Sequence, residues 1–207
     1  MKVDLHVHTK YSGHSLLGVE KVARIAKERN LDAVAITDHN EVKGAIELSK
    51  IFPTIVGEEI SCNEGDVIGL FLSEKIGRGQ ALEVMDKIRA QGGLVVIPHP
   101  FDELRRGIAD EDVCAKADMI EVFNSRVTRA RDNIKAVAFS NLKGIPAVVG
   151  SDAHTSLEIG RSWMEIGAFN DPKSFMRALA TAEIHTRKSP FYVHVQTKLL
   201  KLGEVFH

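Results

Sequence analysis

Short apolar runs separated by longer amphipathic stretches set the rhythm of this chain. Val3, Leu5 and Val7 alternate with Asp4, His6 and His8, the period of two expected of a strand. Leu31 to Ile36, Val67 to Leu72, Leu94 to Ile97, Met119 to Phe123 and Ala147 to Val149 are near-continuous apolar runs, and Thr54 to Val56 leads into Gly57-Glu58-Glu59-Ile60-Ser61. Between these strands, Leu17 to Arg29 places Val19, Val22, Ile25 and Ala26 on one face and Glu20, Lys21, Arg24 and Lys27 on the other, which predicts an amphipathic helix. Further helices are predicted over Glu41 to Lys50, Ala81 to Gln91, Asp110 to Ala117, Thr128 to Asn141 and Pro172 to Thr181. Phe191 to Val195 reads as a strand, and Thr197 to Phe206 as a basic and apolar tail that packs on the barrel or on a partner.

Strand alternating with helix, and strands apolar on both faces, indicate a parallel sheet covered by helices. Seven short strands point to a closed or nearly closed α/β barrel, smaller than the ~250 residues that eight complete units need. No linker or repeat divides the 207 residues, so one domain is expected over 1–207, with an unassigned tail at 185–207.

Composition narrows the function. The net charge of −1 provides no basic field for long nucleic acid and leaves room for a local phosphate pocket. Cys62 and Cys114 lie far apart with no CxxC, which fits small core residues in a reducing cytoplasm. No run of about 18 apolar residues suggests a membrane span. Histidine is the unusual component, with nine residues.

Six of those histidines sit where chemistry would collect. His6 and His8 point to one side of the first strand, and a Gly13 turn brings up His14. Polar residues also terminate the later strands: Asp38 and His39, Glu59, His99, Asn124, then Asp152 and His154. In a parallel barrel those ends share one face, where sites are built. Imidazoles and carboxylates converging there predict a multinuclear metal site.

The motifs D-L-H-V-H-T (4–9), T-D-H-N (37–40), G-E-E-I-S (57–61), H-P-F-D (99–102), I-E-V-F-N-S-R (120–126) and G-S-D-A-H (150–154) resemble the PHP family, the polymerase and histidinol phosphatase domain superfamily. They cover residues 2 to about 161 in the family's order. The resemblance implies a distorted TIM-like (β/α)7 barrel with two or three divalent ions, zinc, manganese or iron. It implies hydrolysis of a small phosphate ester, a nucleotide or a short oligonucleotide end by a metal-bound hydroxide. His6, His8 and Asp152 would hold one ion, Glu59 would bridge it to a second held by His99, and His14, His39 and His154 would hold the third. Glu59 is preferred to Glu58 because the family pattern is G-x-E, and neighbouring strand side chains face opposite ways. Asn124 departs from the histidine common in the family, which puts the middle ion in doubt.

Glu59, His99, Asp152 and Arg126 are the expected catalytic residues, with Arg126 as a phosphate clamp. Arg105, Arg106, Arg129 and Arg131 read as solvated charges. Asp38 and Glu158 are candidates to orient imidazoles. Trp163 reads as core, and His185, His194 and His207 as surface or packing residues. An amidohydrolase-type C–N hydrolase, and a non-catalytic barrel subunit of a nucleic-acid-processing complex, are the alternative readings.

Overall fold

The computed structural model describes residues 1–194 and 197. Its strands are β1 (Lys2–Val7), β2 (Ala33–Ile36), β3 (Thr54–Ser61), β4 (Asp66–Leu70), β5 (Leu94–Ile97), β6 (Met119–Asn124), β7 (Ala147–Gly150), β8 (Trp163–Glu165) and β9 (Glu183–His185). They form one sheet in the order β7-β6-β5-β4-β3-β2-β1-β8-β9. The helices α1 (Val19–Glu28), α2 (Lys43–Ser49), α3 (Ala81–Ala90), α4 (Glu111–Cys114), α5 (Ala130–Lys143) and α6 (Pro172–Leu179) alternate with the strands. The result is the expected distorted barrel of seven strands, β1 to β7, extended by β8 and β9.

Closure of the barrel depends on how β1 divides its free edge. Its start, Lys2 and Val3, pairs antiparallel with β8. Its end instead reaches the segment after β7: Val7 bridges Ala153, and the His8 N–H donates to the Ala153 carbonyl at 2.9 Å. Gly150 permits that approach, because a Cβ there would collide with the Cβ of His6 and lie 2.6 Å from Glu121 Oε1. One strand end therefore carries two histidines onto the end of another that carries Asp152.

The sheet is not wholly parallel. β4 runs antiparallel to both β3 and β5, whereas β1 to β3 and β5 to β7 pair in parallel. The reason is the connection between Ser61 and Asp66, where the Cys62 N–H donates to the Gly65 carbonyl at 2.8 Å and Gly65 adopts a φ of 153°. A parallel crossover needs a dozen residues or more; four allow only a hairpin. Asp66 at the start of β4 is thus placed opposite Ser61 at the end of β3, on the face that carries the site.

Two apolar clusters hold these elements. One joins α1, α2 and the inner ends of β1 and β2, including Leu17, Val22, Ile36 and Leu48. The larger one draws on β1 to β8 and buries Ile60, Ile68, Met85, Ile97 and Met119 completely or nearly so. Cys62 and Cys114 are buried free thiols, raised to about 12 by burial.

Several local expectations change. Phe191 to His194 is helical rather than extended, and Thr197 is helical as well. The rest of the predicted tail, with His207, lies outside the described residues. α4 spans one turn rather than the predicted two. Trp163 lies at the edge of the core, partly buried on β8 against the smaller apolar cluster and stacked on His185 at 3.8 Å with the Lys2 ammonium 4.7 Å from its ring. No helix among the described residues is long and apolar enough to cross a membrane.

Candidate metal centre

The strand ends deliver eight donor side chains to one face. His6 lies in β1 and His8 directly after it, both buried. Glu59 sits within β3, where it bridges His39 beyond the end of β2; the Glu59 N–H donates to the Asp38 carbonyl at 3.1 Å and the Asn40 N–H to the Glu59 carbonyl at 2.9 Å. His99 and Asp152 follow β5 and β7 with φ of 30° and 53°, left-handed backbone that non-glycine residues adopt at a cost. The surrounding hydrogen bonds hold these turns in place. The His99 N–H donates to Glu121 Oε2 at 2.7 Å, and the Ser151 N–H to Asp4 Oδ1 at 3.0 Å.

The donors converge on Glu59. Its Oε2 lies 3.1 Å from His39 Nδ1, 3.3 Å from His8 Nε2 and 3.5 Å from His6 Nε2, and its Oε1 lies 3.1 Å from His99 Nε2. Asp152 Oδ1 is 3.3 Å from His8 Nε2 and 3.8 Å from His6 Nε2. His6 and His8 face each other through Nε2 at 3.1 Å, and His14 and His154 do so at 2.9 Å. Imidazoles meeting nitrogen to nitrogen around carboxylates gain little as packing; as donors about 2 Å from a shared ion they would lie close to these separations.

A second ring of residues fixes which nitrogen faces inward. His6 Nδ1 lies 2.9 Å from Glu121 Oε1, and an Nδ1–H there leaves the Nε2 lone pair toward Glu59. The Ser12 hydroxyl donates to Asp38 Oδ1 at 2.7 Å and stands 3.0 Å from His8 Nδ1, which can donate to it in turn. His154 Nδ1 donates to the Asp152 carbonyl at 2.8 Å, leaving its Nε2 toward His14. Asp38 therefore acts on His8 through Ser12. Glu158 does not orient the His154 ring as expected. Its Oε2 accepts the backbone N–H of His154 and Thr155 at 3.1 and 3.0 Å, and its Oε1 lies 3.3 Å from Arg126 Nε.

Electrostatics divide the histidines. Burial opposes protonation of His6, but Glu121, Asp152 and Glu59 outweigh it and hold its pKa well above the ordinary value. His8 and His99 are raised in the same way, against burial, by their carboxylate neighbours. His39 is lowered to about 4, chiefly by burial against the opposing pull of Glu59. Burial, His8 and Arg126 hold His154 well below its ordinary value. Glu59 and Asp152 resist their own burial: His39 and His6 keep the first ionised, Arg105 and His6 the second.

This donor set fits divalent ions. Among the described residues, four groups bring their donor atoms within 4.8 Å of one another; three lie here, His8, His39 and His154; His6, His8 and Glu59; and Glu59, Asp66 and His99, and the fourth, Glu165, Glu183 and His185, lies on the outlying strands β8 and β9. Asp152 Oδ1 and His99 Nδ1 are buried with no hydrogen-bond partner, and buried polar atoms are rarely left that way. Asn124 is otherwise occupied. Its amide N–H groups donate to Glu121 Oε2 at 2.9 Å and Asp152 Oδ2 at 3.1 Å, and its Oδ1 accepts the Arg126 N–H at 2.9 Å. Asp66 instead brings a carboxylate to Glu59 and His99. Burial and the Glu59 charge raise it to about 6, while Arg106 Nε holds its Oδ1 at 3.1 Å.

Above the donors lies a cavity of about 500 Å³, lined by His14, His39, Glu59 and His99 and by Arg105, Arg106 and Arg126. Two arginines expected to be solvated are therefore part of the site. Arg105 pairs with Asp152 Oδ2, and Arg106 with Asp66. Arg129 pairs with Asp132 at 2.8 Å, and Arg131 stays largely exposed. His194, read as a surface or packing residue, also lines this cavity. Sequence reading missed Glu121, Asp66 and Ser12. A glutamate three residues before Asn124, inside an apolar strand, is the signal that could have found Glu121.

Models of the PHP domain and of a PHP-associated region match residues 4–86 and 130–184. The uncharacterised proteins MJ1587 and MJ0417 of Methanocaldococcus jannaschii are similar, the first 38% identical over 141 residues, covering 60% of this chain and 82% of the relative. The second is 36% identical over 194 residues, covering 86% and 79%. Among solved structures, a two-domain protein of Bacteroides vulgatus, described as containing a predicted PHP-like metal-dependent phosphoesterase, superposes with a TM-score of 0.70 at 17% identity, covering 90% of this chain and 65% of that one. A barrel that closes by bringing the HxH strand end onto the aspartate strand end is what those matched segments encode, and the chain belongs to the PHP family.

Proposed function

We propose that this protein is a divalent-metal-dependent phosphoesterase acting on a small phosphate ester, a nucleotide or the end of a short oligonucleotide. The observation that carries the reading is Glu59, a buried carboxylate with four imidazoles at 3.1 to 3.5 Å. His6, His8 and Asp152 form one donor group, which shares Glu59 with a second made by His99 and Asp66. His14, His39 and His154 form a third beside His8. Manganese, zinc and iron suit such mixed nitrogen and oxygen donors. Divalent ions held there would supply Lewis acidity toward phosphoryl oxygens and would lower the pKa of bound water toward 7.

The chain's own residues do the rest. Glu121, Ser12 and the Asp152 carbonyl fix the imidazole tautomers. Arg126, buried and held at Nη2 by Thr197 and at Nε by Glu158, presents a fixed guanidinium to the cavity, where a planar fork suits phosphate. Arg105 adds a second cation from the loop after β5. A cavity of about 500 Å³ is the size of a small-molecule pocket.

A phosphate-release screen over nucleotides, sugar phosphates and short oligonucleotides, with added manganese or zinc, tests the reading. Metal-dependent release from at least one class is expected. Absence of release from every class, with hydrolysis of an N-acyl or ring C–N bond instead, would replace it with the amidohydrolase reading.

A further inference from the structure

Residues 188–194 and 197 pack beside the mouth of the cavity. The Ser189 N–H donates to the Ser125 carbonyl at 2.8 Å, the Lys188 ammonium to the Thr128 carbonyl at 3.2 Å, and Arg161 Nη1 to the Lys188 carbonyl at 2.9 Å. Val193 is fully buried. Arg126 Nη2 donates to Thr197 Oγ1 at 2.7 Å. These contacts fasten the segment to the turn after β6, which carries Arg126, and to Arg161 ahead of β8.

Two side chains of this segment, His194 and Thr197, line the cavity together with the ion donors and the three arginines. Thr197 is committed to Arg126 and to the carbonyls of Val193 and His194, at 3.2 and 3.3 Å. Among the described residues, the His194 ring has no comparable duty. Its ring is half-buried and tilted against the Phe191 ring at 6.1 Å between centroids. Burial, with Arg126 and Arg105 beside it, lowers His194 to about 4. It is therefore a neutral imidazole at pH 7, able to donate one hydrogen bond and accept another. A phosphate ester held by Arg105 and Arg126 would meet that imidazole. His194 and Thr197 of the fastened segment wall one side of that cavity.

We propose that His194 and Thr197 form the specificity wall of the site, with His194 contacting the bound phosphate ester, so that the pocket takes a terminal phosphate rather than the interior of a polymer. This rests on the phosphoesterase reading and names its substrate geometry. The test uses the manganese-loaded full chain. Titration of inorganic phosphate by calorimetry is expected to show about 10-fold weaker binding by His194→Ala, the scale of one hydrogen bond to a charged group. His194→Asn, which keeps a donor, should retain most of the affinity. KM for 4-nitrophenyl phosphate should rise about as much in His194→Ala, with a smaller change in kcat. Equal phosphate affinity and equal KM in wild type and His194→Ala would overturn the assignment of His194 while leaving the phosphoesterase reading intact. Cleavage inside an end-blocked single-stranded 12-mer as fast as release of a terminal phosphate would overturn the wall. A wild-type protein that neither binds phosphate nor hydrolyses any ester would overturn both readings.

Discussion

Glu58 and Glu59 are adjacent carboxylates in β3, and replacing Glu58 by glutamine separates their roles. Glu58 is fully buried on the opposite face of the strand from Glu59. Its Oε2 accepts the Ile76 N–H at 2.7 Å, and its Oε1 has no partner. Burial dominates, and its pKa rises from 4.5 to about 7. A carboxyl whose folded pKa is raised favours the folded state while protonated. That contribution is complete below about pH 4.5 and is lost as pH rises through 7. At about 1.4 kcal/mol for each tenfold change in proton affinity, the loss reaches about 3 kcal/mol by pH 8. Glu58→Gln carries no charge and should not show it. Whatever fixed cost the amide brings, the stability of the variant relative to wild type should improve by about 2.5 kcal/mol between pH 5 and pH 8. In a chain of this size that is a relative gain of roughly 5–10 °C in melting temperature. Thermal melts at the two pH values, with metal-binding stoichiometry measured alongside, check it. A difference in melting temperature that does not change with pH would refute the reasoning, as would loss of bound metal in this variant.

Other outcomes follow from the same geometry. Glu121→Gln should weaken divalent-ion binding by about 10- to 100-fold, measured by calorimetry, because it disturbs the acceptor that orients His6 and the one that holds the His99 backbone. Asp66→Asn should lose one bound ion per chain by elemental analysis and keep the others; an unchanged count would return the middle site to Glu59 and His99 alone.

Much of this site was legible because its chemistry violates the local pattern. A histidine or aspartate at the end of an apolar strand contradicts burial preference, and motif spacing located His6, His8, His99 and Asp152 without knowledge of their contacts. The barrel was legible for a related reason, since apolar runs of strand length alternate with amphipathic helices. Strand direction was not. The Val67 to Leu72 run looks the same in either orientation, and only the short Cys62–Gly65 connection marks β4 as antiparallel. That reversal is what brings Asp66 to the donors. Glu121 was hidden because it lies inside an apolar strand, and its role appears only when β1 packs against it through Gly150. His194 was unreadable for the same physical reason: its value depends on where the C-terminal segment docks, which periodicity does not encode.

The most direct test of the account is phosphate release from a panel of phosphomonoesters by chelator-stripped and manganese-reconstituted protein, wild type beside Glu59→Gln. The account predicts turnover by wild type that chelation abolishes and manganese restores, with a loss of at least about 100-fold in Glu59→Gln. Full activity in Glu59→Gln, or release by wild type that does not depend on a divalent ion, would contradict it.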